Sequence, residues 1–286
     1  MYEKLKQYIY LIRLNKPIGI LLLLWPTLWA LWLASNGQPD WSIVTIFVMG
    51  VVLMRSAGCI VNDIADKKWD GHVERTRGRP LVTGKISLKE AWIFFGVLIT
   101  AAFLLVCQLN WLTIILAFCG LLFAMIYPFL KRVTHLPQVG LGIAFSWGIP
   151  MAFAAILYEV PLSGWMLFFA AMVWPMIYDT FYAMTDKADD LNVGVKSMAI
   201  LFGRREQFFI GLLQMVFILL MVWVGFFFHL GFYYFASLWI TSFLFFYQEW
   251  LIKDGDPQKC FKAFLNNNWV GFVIFLGIVF DQMRDI

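Results

Sequence analysis

The sequence predicts an all-α, polytopic membrane protein: nine transmembrane helices in one bundle, with polar loops capping its cytoplasmic side. Three observations predict this. Of the 286 residues, 62% are hydrophobic and only 14% charged, against about 25% charged in an ordinary soluble domain. Nine stretches are apolar over the roughly 20 residues that a spanning helix needs. Lys and Arg are concentrated in every second connection between those stretches. A soluble globule is excluded, and a net charge of +4 over so apolar a chain does not suggest a nucleic-acid partner. The lipid bilayer is the expected surrounding, and residues 1–286 are expected to form a single integral-membrane domain.

The spans lie near 17–34, 41–61, 90–107, 111–130, 138–157, 165–184, 207–228, 232–252 and 268–283. The first is too long and Trp-rich for a signal-peptide core and lacks a small-residue cleavage site after it, so it is expected to stay in the protein. Before it stand Lys4, Lys6, Arg13 and Lys16. The second-to-third connection holds seven basic residues, the fourth-to-fifth two, the sixth-to-seventh four and the eighth-to-ninth three, so that 20 of the 22 Lys and Arg lie on one side. The connections SNGQPD, QLN, YEVPLSG and HLG hold none, leaving only Arg55 inside a span and Arg284 at the end. By the positive-inside rule, the N-terminus and the two long connections, 62–89 and 185–206, are cytoplasmic and the C-terminus periplasmic. Cys59, Cys107, Cys119 and Cys260 are far apart, with no CxxC, which suggests neither a zinc site nor a disulfide framework.

Chemistry is expected at the two long connections. The second span ends in NDIADKKWD, where a continued helix would hold Asn62, Asp66 and Asp70 within about 80° of one another. The sixth ends in YDTFYAMTDKADD, and Asp179, Asp186 and Asp190 fall within about 40°. A single Asp at a helix exit is commonly just solvated; two aligned stripes on one membrane face are not. Helix C-termini disfavour negative charge, so acids gathered there call for a cation. Oxygen ligands without clustered His or Cys select a hard ion such as Mg²⁺. Asp66, Asp70, Asp186 and Asp190 carry about −4 and two Mg²⁺ about +4, which leaves a diphosphate of about −3 in need of further cations. Arg75, Arg77 and Arg79 of ERTRGRPL, with Lys131 and Arg132 of YPFLKR, stand on the same face. Acid clusters and basic loops at the mouth of an apolar bundle suit a lipid diphosphate whose head is chelated while its tail lies among the helices.

The paired aspartate-rich segments resemble the UbiA superfamily of intramembrane prenyltransferases, whose NDxxDxxxD motif appears as NDIADKKWD, with a matching second motif and a YxxxK element at Tyr127–Lys131. Further stretches, among them LNKPIGILLLLWPTLWALWLA, GHVERTRGRPLVTGKI, GVKSMAILFG and CFKAFLNNNWVG, are similar to the bacterial 4-hydroxybenzoate polyprenyltransferases of that superfamily. The resemblance covers essentially the whole chain. It implies a Mg²⁺-dependent transfer of a long prenyl chain from polyprenyl diphosphate to 4-hydroxybenzoate, in ubiquinone biosynthesis at the bacterial inner membrane. It also implies that Asn62, Asp66 and Asp70 serve the first diphosphate-Mg²⁺ motif, Asp186 and Asp190 the second, and Lys131 diphosphate binding. Asp63 and Asp189 point about 100° away from their neighbours and rank lower.

Two alternatives stay open on sequence. One is the same chemistry on another acceptor, such as homogentisate, dihydroxynaphthoate or haem. The other, from a different class, is an ion-coupled transporter, since boundary carboxylates also mark ion paths; against it, the acids collect at one surface and not at the bilayer midplane. Arg55 lies seven residues before Asn62, within about 20° of the same helix face and roughly 10 Å deeper. An Arg inside a span normally faces the interior and has an anionic partner. The expected partner is the carboxylate of an aromatic acceptor; the competing readings are that Arg55 binds backbone carbonyls or an Asp of a neighbouring helix, or that it snorkels toward the cytoplasm.

Overall fold

The computed structural model describes residues 2–72 and 74–285, which form twelve α-helices and, among the described residues, no strand. A short helix, α1 (Tyr2–Leu11), precedes α2 (Ile18–Ala34), α3 (Trp41–Asp66), α4 (Leu88–Val106) and α5 (Trp111–Val133). The pair α6 (Pro137–Ser146) and α7 (Gly148–Leu157) follows, then the long α8 (Leu162–Val193), the single turn α9 (Met198–Phe202), α10 (Glu206–Phe227), α11 (Phe232–Ile252) and α12 (Pro257–Gln282).

All nine apolar stretches are helical, and seven of them are long and apolar enough to cross a membrane: α3, α4, α5, α6 with α7, α8, α10 and α12. The chain is a multi-pass membrane protein. By length and composition the spans among the described residues number seven against the nine expected. The 17 residues of α2 reach about 25 Å, short of a hydrocarbon core of about 30 Å, and Tyr233, Tyr234, Gln248 and Glu249 dilute the apolar character of α11. The expected 138–157 span is broken at Trp147, where α2 comes close: a Cβ on Gly148 would stand 2.6 Å from Thr27 Oγ1.

Sequence-local capping sets most helix starts. Asp40, Asn110 and Asp256 accept backbone N–H bonds from Ser42 (2.7 Å), Thr113 (3.0 Å) and Gln258 (2.8 Å), and Ser87 forms a capping box with Glu90; each occupies N–H groups that the first turn leaves unpaired. At its other end α8 stops at Gly194, whose φ of +73° supplies the left-handed cap that glycine adopts without steric cost.

The bundle is built around α8, which packs against α6, α10 and α12, while α2 packs between α3, α7 and α12. Three successive amides of α12 hold this arrangement together. Asn266 accepts from Gln248 of α11 (2.9 Å), Asn267 from the Trp174 indole of α8 (2.9 Å), and Asn268 from the Trp25 indole of α2 (2.9 Å). Amides and indoles withdrawn wholly or partly from water pair to offset their desolvation, so the NNN run, with Asn267 fully buried, helps fix the relative placement of three helices. The connections without basic residues gather at one end. Asp281, near the end of α12, accepts from the backbone N–H groups of Gly231 in the HLG turn and Tyr233 in the first turn of α11, and Gly37 of SNGQPD lies against Gln282. The acidic motifs lie at the other.

Candidate active site

The C-terminal ends of α3, α5 and α8 and the loop after α3 meet around the two acidic motifs. Asp66 closes α3, which ends there, so Asp70 does not continue the helix face as expected. Instead the Trp69 N–H bonds the Asp66 carbonyl (2.8 Å) and the His72 N–H bonds that of Trp69 (2.9 Å), and Asp70 sits in a 3₁₀ turn, Asp70–His72. The tighter winding still leaves Asp70 buried and facing the same space as Asp66. The second motif follows expectation: Asp179, Asp186 and Asp190 all lie on the uninterrupted α8.

Basic side chains from other elements answer three of these acids. Lys131, in the last turn of α5, bonds Asp66 Oδ2. Arg79 Nη1 bonds Asp70 Oδ2 at 2.6 Å and reaches Asp63 Oδ1 at 3.0 Å. Arg75 crosses from the loop after α3 to α8, where Nε donates to Asp186 Oδ1 (2.9 Å), Nη2 to Oδ2 and Nη1 to the Tyr182 hydroxyl, with the guanidinium 4.3 Å above the Tyr182 ring. One arginine therefore ties the loop of the first motif to the helix of the second, in the bidentate geometry that a guanidinium fork favours. Burial pushes the Asp70 carboxyl above its ordinary range, against the pull of Arg79 and with the help of Asp66 and Asp63.

Not every acid is answered. The Oδ1 atom of Asp66 is buried and accepts no hydrogen bond among the described residues, with Arg132 Nη2 3.8 Å away. Among the described residues no basic nitrogen lies within 4.0 Å of Asp179 or Asp190. No three Asp, Glu, His or Cys side chains among the described residues are gathered closely enough to hold a metal ion by themselves.

These groups open into one cavity of about 730 Å³. Its wall includes Asn62, Asp66, Asp70, Arg75, Arg79, Lys131, Asp179, Asp186 and Asp190, so nearly all the expected site residues are brought together. From there it runs between α3, α4 and α5 over apolar side chains including Phe47, Ile99, Phe103, Val106 and Phe118. Counting its whole lining, five carboxylates face seven Lys and Arg, an excess of positive charge suited to a polyanionic head group. Arg55 also lines it and, among the described residues, pairs with no carboxylate: Nη1 donates to Cys59 Sγ (2.7 Å), the guanidinium lies 5.8 Å from the Phe145 ring, and Nε has no hydrogen-bond partner.

Arg132 departs from expectation. It does not line the cavity but turns back on α3, where Nη2 bonds the Ala65 carbonyl and the guanidinium lies 4.3 Å over the Trp69 ring. The cause is helical: one residue past Lys131 is about 100° around α5. Arg77 of the expected clamp is likewise absent from the wall. Asp63, ranked low on sequence, is held by Arg13 (2.6 Å) and Arg79. Sequence reasoning assigns no site role to Arg13, Lys16, Gln138, Tyr178, Tyr182 or Lys196, yet all line the cavity. Arg13 and Lys16 read there only as topology markers, and the one available signal is their closeness to the start of the first span.

The profile of the UbiA prenyltransferase family matches residues 23–276. The chain belongs to the UbiA prenyltransferase family. Within it, 4-hydroxybenzoate octaprenyltransferase of Saccharophagus degradans is 54% identical over 96% of this chain and 92% of its own, and that of Coxiella burnetii is 53% identical over 97% and 96%. Among solved UbiA structures, a homolog from Aeropyrum pernix K1 without ligand superposes with a TM-score of 0.78 at 25% identity, over 91% of this chain and 97% of the other. One from Archaeoglobus fulgidus bound to GPP and Mg²⁺ gives 0.70 at 18% identity, over 94% and 99%, a likeness of fold.

Proposed function

We propose that the protein is a Mg²⁺-dependent aromatic prenyltransferase that moves a polyprenyl chain from polyprenyl diphosphate to the ring carbon ortho to the hydroxyl of 4-hydroxybenzoate, in ubiquinone biosynthesis. The observation that carries this is the single cavity in which a charged head chamber, an unpaired arginine and an apolar passage are continuous. The whole chain works as one domain in the inner membrane, with the N-terminus and the acidic mouth cytoplasmic and the C-terminus periplasmic. The one-sided distribution of Lys and Arg supports that orientation.

The residues fit a divalent cation held jointly with substrate. The donors are all carboxylate oxygens, one of them the unbonded Oδ1 of Asp66, and Mg²⁺ commonly takes one or two carboxylates plus phosphate oxygens and water. Asp66, Asp70, Asp186 and Asp190 would hold Mg²⁺ with the diphosphate, where it supplies Lewis-acid neutralisation of the departing charge. Lys131, Arg75 and Arg79, now on carboxylates, are placed to share themselves with the diphosphate oxygens, and Asn62 and Asp179 complete the polar wall. As the allylic C–O bond breaks, the diphosphate takes the electron pair and the apolar walls keep water from the carbon. The ring carbon of the acceptor then forms the new C–C bond, and loss of its proton restores aromaticity. Arg55 holds the acceptor's carboxylate as a charge-assisted pair.

Purified protein in detergent, given polyprenyl diphosphate, Mg²⁺ and equal amounts of 4-hydroxybenzoate, homogentisate and dihydroxynaphthoate, is expected to yield prenylated 4-hydroxybenzoate by mass. A different major product would overturn the acceptor, and no transfer without an ion gradient would overturn the enzyme. For Lys131→Ala the expectation is a raised KM for the prenyl donor, since both the diphosphate and the Asp66 carboxylate lose their cation, with the acceptor KM little changed. Kinetics with each substrate varied in turn check this. A raised acceptor KM with an unchanged donor KM counts against the role of Lys131.

A further inference from the structure

Arg55 does not sit freely in the cavity: its guanidinium is laid against the backbone of α2 at Gly19. A Cβ built on Gly19 would stand 2.5 Å from Nε, 2.5 Å from Nη2 and 2.9 Å from Cζ of Arg55, where carbon and nitrogen at rest keep about 3.5 Å or more. Every other residue type carries that Cβ. Gly19 lies in the first turn of α2, is buried, and lines the same cavity. No hydrogen bond among the described residues holds Nε, and the group's remaining ties are Cys59 Sγ and the Phe145 ring. The missing side chain at position 19 is therefore what lets the guanidinium lie back against α2.

We propose that Gly19 is a positioning residue for the prenyl-transfer reaction: by leaving room for the Arg55 guanidinium against α2, it sets the depth at which the carboxylate of the aromatic acceptor is held. This rests on the assignment of Arg55 to that carboxylate. A Cβ at position 19 drives the planar head of Arg55 about 1 Å into the cavity, because the open side of the guanidinium is the cavity itself. The carboxylate moves with it, and so does the ring carbon that must meet the allylic carbon. Misplacement on the scale of 1 Å costs on the order of 100-fold when reacting atoms must align. The clash falls on the far end of a flexible side chain and not on backbone, and alanine is a better helix former than glycine, so Gly19→Ala is expected to fold.

The test compares wild type, Gly19→Ala, Arg55→Leu and the double variant. Thermal stability is measured for each, with KM and kcat for 4-hydroxybenzoate and for prenyl diphosphate. Gly19→Ala is expected to lower kcat/KM for the acceptor about 10- to 100-fold with the donor KM unchanged. The same change in the Arg55→Leu background is expected to add nothing, because that variant has no guanidinium to displace. An unchanged acceptor kcat/KM in Gly19→Ala, beside an impaired Arg55→Leu, overturns the role of Gly19 and leaves that of Arg55 standing. Equal losses from Gly19→Ala in both backgrounds, or a donor KM that rises equally, show that Gly19 does not act through Arg55 and overturn the proposal. An unimpaired Arg55→Leu removes the assignment of Arg55 itself. If Gly19→Ala is too unstable to assay, Gly19→Ser carries the same Cβ and the same expectation, and failure of both to fold makes Gly19 a packing residue and overturns the proposal.

Discussion

Alanine at Asp66 or at Asp186 is expected to lower prenyl transfer at least about 100-fold, the scale of losing one electrostatic contact that acts in the transition state. The two residues belong to different motifs, on α3 and α8, and each is the acid to which a cavity-lining cation is bound: Lys131 to Asp66, Arg75 to Asp186. On the proposed reading, removing either carboxylate would lose an oxygen for Mg²⁺ and would also leave its cation free to hold the diphosphate in a different place. Asp66 is the more sensitive of the two by geometry, since it is nearly inaccessible at 3% exposure and its Oδ1 is unbonded. Asp66→Asn and Asp186→Asn keep the volume and remove the charge, so an equal loss in these variants separates electrostatics from packing. The measurement is turnover in detergent at saturating donor, over a Mg²⁺ titration and with EDTA. Near-normal, EDTA-insensitive turnover in either alanine variant would remove the two-motif site.

Arg55→Leu is expected to weaken the acceptor about 10- to 100-fold, the equivalent of roughly 1.5–3 kcal/mol for hydrogen bonds to a charged group, while donor KM and folding are preserved. The competing explanations for an arginine inside a span are an Asp of a neighbouring helix or backbone carbonyls. No carboxylate among the described residues comes within 4.0 Å of it, and its one hydrogen bond among them is to the Cys59 thiol. A guanidinium that lines a cavity with no direct ion pair among the described residues is open to an anion from outside, with Asp179 of α8 the competing partner on the same wall. Leucine keeps the span apolar, so loss of acceptor binding in a well-folded variant is not a folding effect. An unchanged acceptor KM would return the carboxylate to the cytoplasmic loops.

The helices and the two acidic motifs were legible because the features that set them are local. Apolar length, capping residues such as Ser87 with Glu90, and the regular spacing of Asp179, Asp186 and Asp190 on α8 all depend on residues within a few turns of one another. The same local logic failed at Asp70, where extending α3 by periodicity missed that Trp69 leaves the helix, its ring lying against Arg132 of α5. Adjacency groups Arg132 with Lys131, yet neighbours on a helix face different ways, and in the structure Arg132 turns back on α3.

By itself the sequence determined an all-α membrane protein with its acids and bases at one face, because composition and charge distribution decide which segments can enter lipid. Its motifs placed it near the UbiA enzymes. Only the tertiary structure decided which cation answers which acid, that Asp190 and Asp179 have none within 4.0 Å among the described residues while Arg75 spans the two motifs, and that Arg13 and Tyr182 belong to the cavity wall. It alone decided that Arg55 of α3 rests on Gly19 of α2. The physical reason is range: burial in lipid is a property of one segment, whereas an ion pair or a steric contact is a property of two segments that only packing brings within a few ångströms.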